Sequence, residues 1–190
     1  MSYLIAALIL FFAVHSVSIV APQWRDRMVV RLGANAWRGG YSLLSLTALL
    51  LIIHGFGLAR AAPIVWYAAA PWMHAVARVL MAPVFPLLLA SYFPGRIQAA
   101  AKHPMLVAIK LWALAHLLAN GSVADVLLFG GFLAWAVIDR ISLKRRAPRP
   151  VPGASPAKWN DALVIVAGLA LYFLFTEWAH LRLFGVSPLA

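Results

Sequence analysis

Cysteine is absent from this 190-residue sequence, and acidic residues are scarce. Without cysteine the protein can form neither disulfides nor thiolate metal sites, and it cannot use a cysteine nucleophile. Five acidic residues face sixteen lysines and arginines, which gives a formal net charge of +11. In a soluble protein this excess of base would point to nucleic acid. Here the bases lie between long apolar runs, so we expect no nucleic-acid partner.

Apolar residues make up 64% of the chain, against about half in soluble domains. A chain of this length cannot bury that excess in water, so we expect the bilayer to be its solvent. A span needs roughly 20 apolar residues. The sequence therefore predicts an all-α, polytopic membrane protein, a bundle of about six transmembrane helices. The predicted spans are Ser2–Ala21, Tyr41–Leu58, Trp72–Phe93, Pro104–Ala119, Val123–Ile141 and Ala162–Phe184. The first run has no basic n-region and no A-x-A cleavage site, so we expect it to be retained.

The positive charges predict the orientation of the spans. Loops after the first, third and fifth spans hold twelve of the sixteen bases, and the opposite side has only Arg60 and Arg182. The positive-inside rule then places both termini on the non-cytoplasmic side. The same loops predict contacts with anionic lipids. The twelve bases are Arg25, Arg27, Arg31, Arg38, Arg96, Lys102, Arg140, Lys144, Arg145, Arg146, Arg149 and Lys158.

Two connections and one span have special sequence features. Residues Gln23–Ala36 have apolar positions at helical spacing between arginines, which fits either a short interfacial helix or a charged loop. Residues 143–160 form a basic, proline-rich loop that we expect on the cytoplasmic side. Pro83 and Pro86 predict a kink in the third span. We expect residues 1–190 to form a single transmembrane domain.

Histidines inside apolar runs are the strongest candidates for function, because ionisable groups at membrane depth are costly. A structural hydrogen bond explains each of them equally well. Two intramembrane imidazoles from different helices also suit the axial positions of a haem iron. Lys110 and Arg38 are then candidate partners for the haem propionates, and Glu177 with His180 fits an interfacial hydrogen bond or ion pair. The histidines within the runs are His15, His54 and His116, while His74 and His103 lie near span ends.

Three segments resemble the NnrU family of bacterial membrane proteins: FFAVHSVSIVAPQWRDRMVVRLGANAWRGGYSLLSL, PGRIQAAAKHPMLVAIKLWALAHLLANG and LLFGGFLAWAVIDRISLKRR. That family is related to the plastid 15-cis-zeta-carotene isomerase, an integral membrane haem b enzyme. The resemblance implies that His15, in Val-His-Ser, and His116, in Ala-Leu-Ala-His, ligate haem b. The cysteine of the isomerase falls on Ala113, so exchange to a thiolate ligand is not available here.

Depth along the helices leaves a second ligand pairing open. At the helical rise, His15 lies about 9 Å and His116 about 18 Å from the inner edge of the predicted spans. Helix tilt absorbs part of this difference. By depth alone, His54 is the alternative partner of His116.

A second resemblance favours different chemistry. Lys102-His103-Pro104-Met105 is similar to the Arg-His-Pro segment of membrane methyltransferases that use S-adenosylmethionine, but their later glutamate pair has no counterpart here. Three hypotheses follow. The first is an inner-membrane haem b protein with redox or isomerase-like chemistry on a hydrophobic small molecule. The second is a methyltransferase. The third, which the NnrU name implies, is a non-enzymatic accessory protein for nitrite and nitric oxide reduction in denitrification.

Overall fold

Long apolar runs become helices in the computed structural model, which describes residues 1–147, 149, 151 and 153–188. The described residues form ten α-helices and one π-helical turn, Phe175–Ala179. The helices are α1 (Ser2–Val20), α2 (Pro22–Leu32), α3 (Ala34–Ala61), α4 (Pro71–Met81), α5 (Val84–Ala90), α6 (Arg96–Ala101), α7 (Pro104–Ala119), α8 (Val123–Ser142), α9 (Asn160–Leu174) and α10 (His180–Phe184).

Four helical segments are long and apolar enough to cross a membrane: Ser2–Val20, Ala34–Ala61, Pro71–Ala90 and Asn160–Phe184. The all-α prediction is therefore confirmed for the described residues, and four helices are candidate membrane spans. The other two predicted spans are also helical. Helix α7 has sixteen residues, about 24 Å at the helical rise, and α8 carries Asp125, Asp139 and Arg140 near its ends. The count of six spans and the side of the termini stay predictions.

The chain divides into two compact units. The first comprises Met1–Trp66 and Ser122–Gly131, and the second comprises Tyr67–Gly121 and Phe132–Ala190. Helices α1 to α3 thus belong to the first unit. Helices α4 to α7, α9 and α10 belong to the second, and α8 begins in the first unit and ends in the second.

Close backbone approach holds α1 against α3 in the first unit. A Cβ on Gly55 would lie 2.8 Å from the backbone nitrogen of Leu4. Leu4 is fully buried, as is Ala48 of α3. Small residues at such contacts let helices approach closely enough for dense van der Waals packing, which drives association where the solvent is lipid.

Helix α2 confirms that the arginine-rich connection is helical. It starts with a proline at its first position, Pro22, whose fixed φ suits a helix start, and it ends at Gly33, where φ is +84°. None of its side chains is buried. The Arg25 guanidinium lies 5.8 Å from the ring centre of Trp37, and Trp24 packs edge-on against the same ring. Its position at the membrane interface stays a prediction.

Helix α8 begins with a reciprocal cap in the first unit. The Asp125 carboxylate accepts hydrogen bonds from the backbone nitrogen and the hydroxyl of Ser122, at 3.0 and 2.5 Å. The Asp125 amide donates back to the Ser122 hydroxyl at 3.2 Å. This arrangement is a capping box, and it explains an acidic residue near the end of an otherwise apolar run.

In the second unit, the proline-containing span divides where a kink is predicted. Helix α4 ends at Met81 and α5 begins at Val84, because Pro83 has no amide hydrogen to continue the helical ladder. Helix α5 packs against α7 and α9. A Cβ on Gly168 of α9 would lie 2.5 Å from the backbone nitrogen of Pro86, so α9 meets α5 at backbone distance.

Hydrogen bonds join the start of α9 to the first residues of α6 and to the segment before α6. Asp161 accepts hydrogen bonds from the backbone nitrogens of Arg96 and Ile97 at 2.9 and 3.0 Å. The Asn160 side chain donates to the Pro94 carbonyl at 2.8 Å. The predicted proline-rich loop, 143–160, includes three prolines, at 148, 150 and 152, that lie outside the described residues.

Candidate functional site

His15 lies on α1 in the first unit, half-buried, with a defined hydrogen bond at one ring nitrogen. Its Nδ1 is 2.8 Å from the backbone carbonyl oxygen of Phe11, one turn earlier. A carbonyl oxygen has no proton to give, so Nδ1 carries the hydrogen and donates it. In neutral imidazole the unprotonated nitrogen is then Nε2, the atom that can bind a metal.

Aromatic side chains fix the orientation of the His15 ring. The Phe11 ring stacks on it with centroids 3.8 Å apart and planes 17° apart. From α3, the Tyr41 ring lies 5.4 Å away at a tilt of 59°. Arg38 lies one turn before Tyr41 on α3 and is exposed. The sequence-predicted candidates His15 and Arg38 therefore belong to neighbouring helices of one unit.

His116 repeats the pattern of His15 on α7 in the second unit. Its Nδ1 is 2.8 Å from the carbonyl oxygen of Trp112, again four residues earlier. The Trp112 ring lies 5.3 Å from the imidazole, and Phe132 packs edge-on against Trp112 at 5.5 Å. The same reasoning gives a protonated Nδ1 and a lone pair on Nε2.

Helix α7 ends three residues after His116. Near that end, polar groups contact the carbonyls of His116 and Leu117. The Asn120 side chain donates to the His116 carbonyl at 3.0 Å. The Tyr67 hydroxyl contacts the carbonyls of Leu117 and Asn120, the latter at 2.8 Å. The Tyr67 amide donates to the Gly121 carbonyl at 3.1 Å. Sequence reasoning missed Tyr67, and its only signal was the Asn-Gly pair that ends the apolar run.

The alternative ligand, His54, lies on α3 in the first unit. Its side chain is exposed, whereas the neighbouring Ile52 and Gly55 are buried, so His54 lies off the packed face of its helix. It is thirteen residues from Tyr41, about 20 Å along the helix. Within the first unit, His54 and His15 are therefore not neighbours.

Lys110 and His103 occupy the first half of α7. Lys110 is half-buried, six residues before His116. His103 is the N-cap residue of α7. Before it, Lys102 has a φ of +59°, and the His103 amide bonds back to the Ala101 carbonyl at 2.6 Å. That γ-turn is a strained conformation for a residue with a Cβ.

Partial desolvation and nearby charges together lower the pKa of the His103 imidazole. Desolvation is the largest cause and the positive charge of Arg140 is the next, whereas the carboxylate of Asp139 opposes them. Asp139 also forms an ion pair with Arg146. This end of the second unit is therefore a mixed cluster with more positive than negative groups.

The Glu177 and His180 pair lies at the π-helical turn. His180 donates from Nδ1 to the carbonyl of Val186 at 2.8 Å, and its ring packs against those of Phe175 and Phe184. Among the described residues, no salt bridge joins Glu177 to His180. The hydrogen bond of the His180 ring is therefore made to the backbone.

Imidazole nitrogens are the metal-ligand chemistry that His15 and His116 offer. No three or more His, Asp or Glu side chains within the described ranges come together as a metal site. A haem needs only two protein ligands, because the porphyrin supplies four nitrogens. His15 and His116 each have Nδ1 bonded to a backbone carbonyl, so each neutral imidazole has a lone pair on Nε2 that suits an axial position.

Comparisons with known proteins address the family. No curated protein and no solved structure matches the chain. A family model described as "NnrU protein" matches residues 3–188, nearly the whole chain. The protein therefore belongs to the NnrU family.

Proposed function

We propose that this protein is a multi-pass inner-membrane haem b protein with His15 and His116 as the axial ligands of the iron. One observation carries the proposal. Each of these two imidazoles donates from Nδ1 to the carbonyl four residues earlier on its own helix, at 2.8 Å in both cases. His54, His74 and His103 have no such bond in the part of the chain that the structure describes.

The Nδ1 hydrogen bond matters because it selects the tautomer. A metal-ligating histidine commonly donates its other ring N–H to a backbone carbonyl or carboxylate, which orients the ring and makes the ligating nitrogen more basic. The helix carbonyl performs both tasks without any additional side chain. In the neutral form, which an apolar environment favours over a charged imidazolium, His15 and His116 would each offer Nε2 as the ligating nitrogen.

Bound haem b would supply one-electron redox chemistry or a Lewis-acidic iron. The chain's own residues have simpler roles. Phe11, Tyr41 and Trp112 pack against the imidazoles and keep water away from them. Arg38 and Lys110 are the proposed cationic partners of the propionates. The substrate class that fits such apolar surroundings is a hydrophobic small molecule undergoing redox or isomerase-like conversion.

The proposal includes six spans with both termini outside the cytoplasm. Its support is the charge distribution: the loops after the first, third and fifth predicted spans hold most of the bases. These basic loops would contact anionic lipid headgroups. Labelling of single cysteines placed in α2 and after Phe184 tests the orientation, since the native chain has no cysteine.

The test of haem ligation is an absorption spectrum of purified variants after haem-replete expression. We expect wild-type protein to carry a Soret band, and His15→Ala and His116→Ala to lose it. His74→Ala is the matched control and should retain the band. His54→Ala separates the alternative ligand pairing: loss of the band in His54→Ala but not in His15→Ala would replace His15 with His54.

A second candidate function is methyl transfer with S-adenosylmethionine. It is supported by the strained turn at Lys102 and the charged cluster around His103, since backbone strain concentrates at functional sites. Calorimetry with S-adenosylmethionine tests it, and absent binding eliminates it.

The non-enzymatic accessory role is compatible with haem binding. A deletion strain that loses nitrite and nitric oxide reduction, with no turnover by the isolated protein, would favour it.

A further inference from the structure

The end of α7 requires outside hydrogen bonds, and His116 lies only three residues before that end. The last four carbonyls of an α-helix have no partner within the helix. If they are left unsatisfied at membrane depth, the last turn loses stability, because no water is available there to replace the missing donors. The orientation of His116 therefore depends on how this turn is finished.

Asn120 and Tyr67 donate to two of these carbonyls, those of His116 and Leu117. Asn120 donates to the His116 carbonyl from both its backbone and its side-chain nitrogen, at 2.9 and 3.0 Å. The Tyr67 hydroxyl reaches the carbonyls of Leu117 and Asn120, and its amide reaches that of Gly121. One residue from the segment before α4 thus contacts three backbone carbonyls at the end of α7, two through its hydroxyl and one through its amide.

Gly121 makes this contact sterically possible. A Cβ at this position would lie 1.8 Å from the carbonyl oxygen of Tyr67, far inside any permitted separation. The Tyr67 segment therefore lies directly against the backbone after α7. Asn120 is the C-cap residue of α7, and Gly121 has no side chain that would block the approach of Tyr67.

We infer that Tyr67 is a positioning residue for His116: its hydroxyl fixes the last turn of α7 and with it the direction of the imidazole. The consequence for haem rests on the function proposed above. The ring bond to Trp112 occupies the turn before His116, and the Tyr67 and Asn120 bonds occupy the turn after it. Loss of the hydroxyl loosens the second turn while leaving the ring bond chemically intact.

The experiment compares Tyr67→Phe with Tyr172→Phe in the full-length protein. Tyr172 is a matched control, because its hydroxyl also donates to a helix carbonyl, that of Arg78 at 3.1 Å, in the same unit. Both variants lose one O–H and keep the ring. Hydrogen exchange is measured on haem-free protein at residues 117–121, and haem affinity and the electron paramagnetic resonance g-values on haem-loaded protein.

Tyr67→Phe should speed exchange at residues 117–121 about fivefold, consistent with the loss of one hydrogen bond. It should also weaken haem binding about tenfold and broaden the g-values, which report the orientation of the axial imidazoles. Tyr172→Phe should leave all three unchanged. Asn120→Ala, which removes a different bond to the same turn, should act in the same direction as Tyr67→Phe.

Equal exchange in Tyr67→Phe and wild type would overturn the inference, whether or not haem is present. Faster exchange with unchanged affinity and g-values would also overturn it, because the hydroxyl would then serve stability alone. A wild-type protein that takes up no haem would instead contradict the proposed function. In that case the exchange measurement still decides whether Tyr67 holds the turn that carries His116.

Discussion

At the scale of single residues, a helix carbonyl selects which tautomer each of two histidines adopts when its imidazole is neutral. The carbonyls of Phe11 and Trp112 each have two lone pairs, so each can accept the helical N–H and the imidazole Nδ1–H together. A buried polar group without a partner costs about 1–3 kcal/mol. The i−4 carbonyl removes that cost on the Nδ1 side of each ring and determines that Nε2 is the basic nitrogen.

Gly121→Ala tests the tight contact at the end of α7. The new methyl group would overlap the Tyr67 carbonyl, so we expect a loss of stability of at least about 1–3 kcal/mol. Thermal unfolding in detergent measures it. Gly40→Ala is the control, since a Cβ at Gly40 meets nothing within 4 Å. Equal unfolding temperatures for the two variants would contradict the close approach of Tyr67.

His103 predicts a pH dependence of stability. Burial and the neighbouring Arg140 lower the pKa of its imidazole in the folded protein, so the unfolded chain binds the proton first as pH falls below about 6.5. Stability therefore decreases as pH falls through that value towards the lower folded pKa. His103→Gln should flatten the curve of unfolding temperature against pH below about 6.5, with His74→Gln as control. Parallel curves for wild type and His103→Gln would contradict the assignment.

At the scale of elements, two pairs of helices in this protein meet at backbone distance through a glycine. Gly55 of α3 meets Leu4 of α1, and Gly168 of α9 meets Pro86 of α5, both at backbone distance. In lipid, where apolar side chains gain nothing by leaving the solvent, such close contacts supply much of the association energy. Each contact should be sensitive to a single added methyl group.

Gly55→Ala and Gly57→Ala form a matched pair on one helix. At Gly55 the added Cβ lies 2.8 Å from Leu4 backbone, while at Gly57 it meets nothing within 4 Å. We expect Gly55→Ala to destabilise by about 1–3 kcal/mol and Gly57→Ala to stabilise by up to about 1 kcal/mol through helix propensity. Denaturation in mild detergent measures both. The opposite order would show that α1 and α3 do not meet at this point.

The sequence predicted helix bounds well where the apolar run and the helix end at the same residues. It predicted them less well where the helix extends beyond the apolar run. The predicted bounds of α7, Pro104 to Ala119, agree with the structure, because a proline and an Asn-Gly pair mark its ends. The predicted start of α3, at Tyr41, was wrong, and the helix begins at Ala34. Arg38 and the two glycines after it lower hydropathy without preventing helix formation, so an apolar window begins too late.

At the scale of the whole molecule, composition was sufficient to predict a lipid environment and the fold class. It was not sufficient to predict the contacts at the candidate site. An excess of apolar residues predicts a multi-pass helical protein, and four apolar helices long enough to cross a membrane are consistent with it. Tyr67 could not be predicted to contact the last turn of α7, because its partners are carbonyls fifty or more residues away and backbone acceptors have no signature in the sequence. The sequence makes the histidines candidates, because imidazoles are rare in apolar runs.

The central claim is that this NnrU-family protein binds haem b through two neutral imidazoles. The most direct measurement is the dithionite-reduced minus oxidised difference spectrum of the purified wild-type protein after haem-replete expression. The account predicts the bands of a six-coordinate, low-spin b-type haem at one haem per chain. A colourless preparation without a Soret band would contradict it.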